Sequence, residues 1–242
     1  MKKKNVIVSG VTRKGSTYEK NDDRFLIKAL DDGNHLLAVS DGMGGHPAGD
    51  VAAGDIINCL SAINDTSNDK VLILENSINR ADVLIRNRVK KVPMLEGMGA
   101  TATTVIINGE RAWWVHIGDS RMYLLRNGIL QQITRDHSFL QDLIDSGDLS
   151  ADDAAKHRMA HVLDQCVGCM DAGVDSGEFA TYPGDTILLC TDGLYRTISD
   201  SKIARIVLSE KNCSQCVESL LQASLKAGIP DDTTIIIVAI SG

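Results

Sequence analysis

Short apolar runs broken by polar turns set the rhythm of the first forty residues. Residues 5–9, 24–30 and 35–40 read as strands, and Asp31-Asp-Gly-Asn34 between the last two predicts a hairpin tip. The period then changes. Residues 48–63 and 69–91 carry apolar positions at helical spacing, with Leu72, Ile73, Ile78, Val83, Leu84 and Ile85 in the second and Lys90 and Lys91 at its end. Over 101–133 the pattern returns to a meander, in which Asn108-Gly109 and Asn127-Gly128 each stand between β-prone runs, the strongest short hairpin signal. A polar stretch at 136–165 reads as mostly helical. Strands near 178–182 and 186–191, helices near 200–208 and 213–226, and a strand at 233–240 complete the pattern, with Asp200 expected as a helix N-cap.

Strands in hairpin series with helices in pairs favour an antiparallel α+β layering over a doubly wound parallel sheet. With 242 residues, 43% of them hydrophobic, and no repeat or linker tract, the chain is expected to form one domain. Aromatic residues make up only 4%, so the core must rest on Ile, Val, Leu and Ala. A formal charge of −7 argues against nucleic-acid binding. The longest apolar runs are too short to span a bilayer, and no apolar signal core follows the basic start, so the expected location is cytoplasmic, with no membrane partner. Four of the six cysteines form two C-x-x-C pairs, Cys166/Cys169 and Cys213/Cys216. Such pairs suit structural zinc or buried free thiols, and a reducing compartment favours the thiols; disulfides are expected least.

One local pattern recurs. Leu36-Leu-Ala-Val-Ser40 runs into Asp41-Gly42, Ile187-Leu-Leu-Cys-Thr191 into Asp192-Gly193, and Trp113-Trp-Val-His-Ile-Gly118 into Asp119-Ser120. Each apolar strand delivers a carboxylate at its tip. Asp22-Asp23 and Asp231-Asp232 lead into two further apolar strands. Asp-Gly alone is a common turn dipeptide, and Asp31-Asp32-Gly33 needs no further reading. If the strand ends converge, however, the acids repel one another unless hard cations join them, and all-oxygen ligation suits Mg²⁺ or Mn²⁺. Two such ions can share a water and clamp a phosphoryl group.

The neighbours of these acids carry a resemblance. Asp41-Gly-Met-Gly-Gly-His-Pro-Ala-Gly-Asp50, Gly99-Ala-Thr-Ala-Thr103, Gly118-Asp-Ser-Arg121, Thr134-Arg-Asp-His-Ser138, Leu189-Cys-Thr-Asp-Gly-Leu194 and Asp231-Asp-Thr-Thr234 resemble, in order and spacing, the motifs of the bacterial branch of the protein phosphatase 2C family. The resemblance implies a four-layer α-β-β-α sandwich of two antiparallel sheets flanked by helices. It implies hydrolysis of phosphoserine and phosphothreonine in proteins by a metal-bridged water. Asp41 would lie between two Mn²⁺ or Mg²⁺ ions, with the Gly42 carbonyl on one and Asp192 and Asp231 on the other. Asp119 would share with Asp192 a third ion of the kind seen in bacterial members. Asp23, with Asp22, would hold metal-bound waters. Residues 139–165 would form a flap beside the site, and His137 would order its local loop. Phosphorylated proteins, with a serine/threonine kinase acting on the same targets, are the implied partners, and a monomer the expected state.

The sequence departs from that family at two places. Many members have a phosphate-binding Arg five residues before the acid matching Asp23, where this chain has Tyr18; Arg13 and Lys20 are the nearby cations, and Arg13 is taken as the substitute. Eukaryotic members carry a proposed general-acid His where Met43 stands here, as Met often does in bacterial relatives; His46 is close by. Two other readings stay open: a non-catalytic regulatory domain of the same fold, and a metal phosphoesterase acting on small molecules.

Overall fold

In the computed structural model, residues 5–17, 19–31, 33–43, 48–64, 69–150, 153–154, 157–160, 162–169, 173–228 and 231–242 are described. Strands β1 (Asn5–Arg13), β2 (Arg24–Ala29) and β3 (His35–Ser40) are followed by helices α1 (Gly49–Ser61) and α2 (Lys70–Lys91). The meander is β4 (Ala102–Ile107), β5 (Arg111–Ile117), β6 (Arg121–Arg126) and β7 (Ile129–Gln132). Then come α3 (Gln141–Asp145), β8 (Asp175–Ala180), β9 (Thr186–Cys190), α4 (Asp192–Tyr195), α5 (Asp200–Ser209), α6 (Cys213–Ala227) and β10 (Thr233–Ser241).

The strands form two antiparallel five-stranded sheets, β1-β10-β9-β6-β7 and β2-β3-β4-β5-β8. Side chains on successive strand residues point to opposite faces, and here both faces are covered. In β3, Leu36 and Ala38 pack toward α1 and α2, while Leu37 and Val39 meet the other sheet. In β10, Ile235 and Ile237 lie under α4–α6, while Ile236, Val238 and Ile240 join the layer between the sheets. Burial on both sides is why these strands read as unbroken apolar runs. The result is the expected α-β-β-α sandwich.

Local chemistry accounts for most boundaries. Asp69 caps α2 by accepting from the amides of Val71 and Leu72 at 3.0 and 3.2 Å, and Arg88, Lys90 and Lys91 occupy its last turn. Asn127 and Gly128 both adopt positive φ between Arg126 and Ile129, which pair across the hairpin. The Leu30 carbonyl accepts from Gly33 at 3.0 Å, as a hairpin tip requires.

Four expectations about the secondary structure need correction. β1 extends to Arg13, because β10 pairs with it out to Thr233. β8 lies a few residues earlier than expected, at Asp175–Ala180. Asp200 is the first residue of α5 and Ser199 its N-cap; the Asp200 carboxylate instead accepts from the Tyr123 hydroxyl at 3.3 Å. Residues 136–165 are not mostly helical. Only α3 and the pair 153–154 are helical among the described residues there, and Gly147, at φ 81°, follows the end of α3.

The cysteines divide. Cys213 and Cys216 are free and buried on α6, in line with the expectation of buried thiols. Cys166 and Cys169 form a disulfide, against the expectation of thiols. A tight turn makes it feasible: Cys169 N donates to the Cys166 carbonyl at 3.2 Å, Gly168 takes φ 100°, and the Cα atoms lie 5.3 Å apart. Among the described residues no helix is long and apolar enough to cross a membrane.

Candidate functional site

Five separate chain segments bring carboxylates to one end of the sandwich. Asp41 follows β3, Asp119 follows β5, Asp192 opens α4 directly after β9, Asp23 precedes β2 and Asp231 precedes β10. Their convergence shows in their mutual electrostatics. Burial lifts the Asp41 carboxyl well above the usual carboxylate range, and the charges of Asp23, Asp192, Asp119 and Asp231 push it the same way. Asp192 is raised by burial and then by Asp119, with Arg196 acting against them. Asp23 is raised to about 7 by burial, although the hydroxyls of Thr234 and Thr191 favour its charged form. Asp22, nearer solvent, is raised by burial and by Asp50 and Asp232.

Hydrogen bonds fix each acid. The Asp41 amide donates to Thr101 Oγ1 at 2.9 Å, the Thr101 amide donates to the Asp41 carbonyl at 2.8 Å, and Thr101 Oγ1 pairs with Ser120 Oγ at 2.7 Å. Thr101 thus joins the Gly-Ala-Thr-Ala-Thr motif to the residues on either side of the cluster. Asp23 Oδ2 accepts from Thr191 Oγ1 at 2.8 Å and Thr234 Oγ1 at 2.7 Å. Its Oδ1, like Asp192 Oδ1, is buried with no hydrogen-bond partner among the described residues.

The glycines after Asp41 and Asp192 serve close approach. A Cβ on Gly42 would collide with the Gly49 backbone, and one on Gly193 with the Asp232 carbonyl. Asp-Gly here is therefore a packing requirement at the foot of each acid, more than a turn dipeptide.

His137 has the loop-ordering position expected of it. Gly118 N donates to its Nδ1 at 3.3 Å, its Nε2 lies 3.3 Å from Asp175 Oδ2, and its carbonyl accepts from Asp164 N at 3.2 Å. Arg121 and Asp136, from two motifs, form a forked pair at 2.7–3.1 Å. Arg13 ends β1 opposite Thr233, close in the sheet to Asp231, and is exposed. Tyr18 and His46 lie outside the described residues, as do parts of 139–165.

Sequence reasoning gave Asp232 no role of its own and missed two further participants, Tyr195 and Arg196. Asp232 accepts from Gly15 N at 2.8 Å and Asp22 N at 2.6 Å, locking two loops of the site together. Tyr195 donates to Asp119 Oδ2 at 3.2 Å, with the Arg121 guanidinium 3.6 Å over its ring. Arg196 lies between two of the acids: Nη2 donates to Asp119 Oδ2 at 3.0 Å, and Nε lies 2.8 Å from Asp192 Oδ2, close enough for an ion pair though poorly aligned for a hydrogen bond. Its position four residues after Asp192 was the one available signal. Among the described residues no three acids close around a single point at metal-ligand spacing. Arg196 instead holds Asp119 and Asp192, and two threonines hold Asp23.

The arrangement has known counterparts. The protein phosphatase 2C family profile matches residues 13–228. The serine/threonine protein phosphatase PstP of Mycobacterium tuberculosis is 34% identical over 227 residues; the match covers 91% of this chain but only 44% of that protein, so the chain spans less than half of this relative's length. Protein phosphatase PhpP of Streptococcus pneumoniae is 30% identical over 239 residues, covering 97% of both. Among solved structures, the catalytic domain of PstP in complex with two manganese ions superposes with a TM-score of 0.87 at 31% identity, over 98% of this chain and 100% of that one. Family profile, sequence identity and superposition agree: the chain belongs to the protein phosphatase 2C family.

Proposed function

We propose that this chain hydrolyses phosphoserine and phosphothreonine in proteins, using two Mn²⁺ or Mg²⁺ ions held by Asp41, the Gly42 carbonyl, Asp192 and Asp231, with Asp23 behind them. The observation that carries the reading is the convergence of acids from five chain segments on Asp41, whose carboxyl feels all four others. Such a group is self-repelling without cations. Its donors are all oxygen, which suits hard divalent ions. The buried, unpartnered oxygens of Asp23 and Asp192 are the open acceptors such ions would satisfy. When bound, the ions supply the positive charge that acidifies a water and neutralises phosphoryl oxygens.

The chain's own groups position the rest. Thr101 holds Asp41 by its backbone on both sides, and Asp232 draws Gly15 and Asp22 to the same place. We assign the substrate phosphate to Arg13, at the acidic end of β1. The names of PstP and PhpP support protein substrates, and the two manganese ions of the PstP structure support the metal. The substrates on this reading are targets of a serine/threonine kinase, and the enzyme acts in the cytoplasm as a monomer.

A phosphothreonine peptide assayed with Mn²⁺ tests the reading. Turnover is expected with Mn²⁺, to vanish in EDTA, and to fall in Asp192→Ala by more than about 100-fold, beyond the 10–100-fold usual for an outer-shell partner. Turnover that survives EDTA or the substitution refutes the metal assignment. Preference for a nucleotide over the peptide refutes the protein substrate.

A further inference from the structure

The third ion implied by the resemblance would be shared by Asp119 and Asp192, and there this chain carries a cation of its own. α4 is a single turn that starts at Asp192, and Arg196 follows as its C-cap. The i,i+4 spacing brings the guanidinium back over Asp192, where Nε lies 2.8 Å from Oδ2. Nη2 reaches Asp119 Oδ2 at 3.0 Å and also donates to the Ala160 carbonyl at 2.9 Å. The side chain is only 23% exposed, and both acids are buried. Tyr195 donates a further hydrogen bond to the same Asp119 oxygen, and Arg121 packs on the Tyr195 ring. A divalent ion between Asp119 and Asp192 would have to displace a guanidinium already tied to both and to the main chain, or sit against its positive charge. The residues present do not fit a third ion.

We infer that Arg196 is a resident cation that takes the place of a third metal ion between Asp119 and Asp192 and ties the Ala160 stretch to the acidic cluster. The inference rests on the two-ion reading above. It leaves Asp192 Oδ1, buried and without a hydrogen-bond partner among the described residues, as the oxygen available to the core ions. It also makes the position of the Ala160 stretch depend on a covalently attached charge, and so independent of metal concentration. Arg196 acts here as a positioning residue. Arginine suits the place because its extended fork hydrogen-bonds Asp119 and the Ala160 carbonyl while keeping charge beside Asp192, which the point charge of lysine cannot do together.

Manganese stoichiometry, measured by equilibrium dialysis with elemental analysis on the full chain, tests this without recourse to activity. The wild type is expected to bind two Mn²⁺ at saturation and Arg196→Ala three, the added ion lost again in Arg196→Ala/Asp119→Asn. Hydrogen exchange adds a second readout: the amides of Val162 and Asp164 are expected to exchange faster in Arg196→Ala, while those of β3 and β9 stay protected. Three ions on the wild type, or two on a folded Arg196→Ala, overturn the inference and leave the phosphatase reading intact. No Mn²⁺ on the wild type overturns the phosphatase reading itself. If Arg196→Ala does not fold, Arg196→Lys carries the test. The shorter, single-point ammonium is expected to admit a third, weaker ion, and strict retention of two refutes the need for the guanidinium.

Discussion

The two Asp-Gly corners of the site use one dipeptide and solve its charge differently. Asp192-Gly193, at the end of β9, carries its own counter-ion four residues on, and Arg196 also serves Asp119. Asp41-Gly42, at the end of β3, has Asp23, Asp192, Asp119 and Asp231 as its charged surroundings, with Thr101 bonded only to its backbone. One corner is partly compensated within the chain, and the other has no internal cation among the charges that act on it most strongly. Identical motifs therefore do not carry identical electrostatic obligations, and the imbalance locates where a metal contributes most to both folding and chemistry.

The largest effect that would break this comparison is at the uncompensated corner. Asp41→Asn is expected to abolish Mn²⁺-dependent turnover, a loss well beyond the roughly 10–100-fold of an outer-shell change. In EDTA at neutral pH the same variant should melt several degrees higher than wild type, because a buried, repelled carboxylate has become neutral. About 1 kcal/mol moves the midpoint of a domain this size by roughly 2–4 °C. A lower melting point in EDTA would show that Asp41 is already compensated.

The opposite sign is expected at the other corner. Arg196→Gln removes the internal counter-ion and leaves Asp119 and Asp192 buried beside each other, so the metal-free protein should lose stability, by about 3–5 kcal/mol in denaturant titration. An unchanged midpoint would place the two corners on the same footing.

His116 sharpens the contrast from outside the cluster, as a buried ionisable group whose native form is neutral. Burial first, then the neighbouring His137, lowers its pKa to about 4 from 6.5. The unfolded chain therefore binds the proton more readily, and stability present above pH 6.5 is lost as pH falls toward 4. The loss amounts to roughly 3 kcal/mol over that window. It should appear in the wild type and be missing from His116→Gln when both are titrated with denaturant. Parallel curves down to pH 4 would remove His116 from the account.

How much of this could be read beforehand depended on whether the signal was local. The strands were legible because β3, β9 and β10 bury both faces and read as apolar runs, and the Asn-Gly hairpins because positive φ restricts the residue choice. The acids were legible because each stands at one end of an apolar strand, Asp41, Asp119 and Asp192 after it and Asp23 and Asp231 before it. Residues 136–165 were not, since their few regular hydrogen bonds follow no period. The Cys166–Cys169 bridge depends on a turn that spacing alone does not specify. Arg196 was hidden because its spacing from Asp192 has meaning only once a helix is known to begin there.

The Asp232 carboxylate joins Gly15 and Asp22 across sequence separations of 217 and 210 residues. β10, which directly follows it, fills the place between β1 and β9 in its sheet. During synthesis, then, the first sixty or so residues emerge with their acids in place along the chain but with nothing to gather them. Contacts this distant in sequence close slowly, at the end of a folding process limited by loop entropy. A ribosome-bound fragment that stops short of Asp232 and β10 therefore carries the partners that hold Asp41 to Thr101 but not the carboxylate that locks the Gly15 and Asp22 loops beside them.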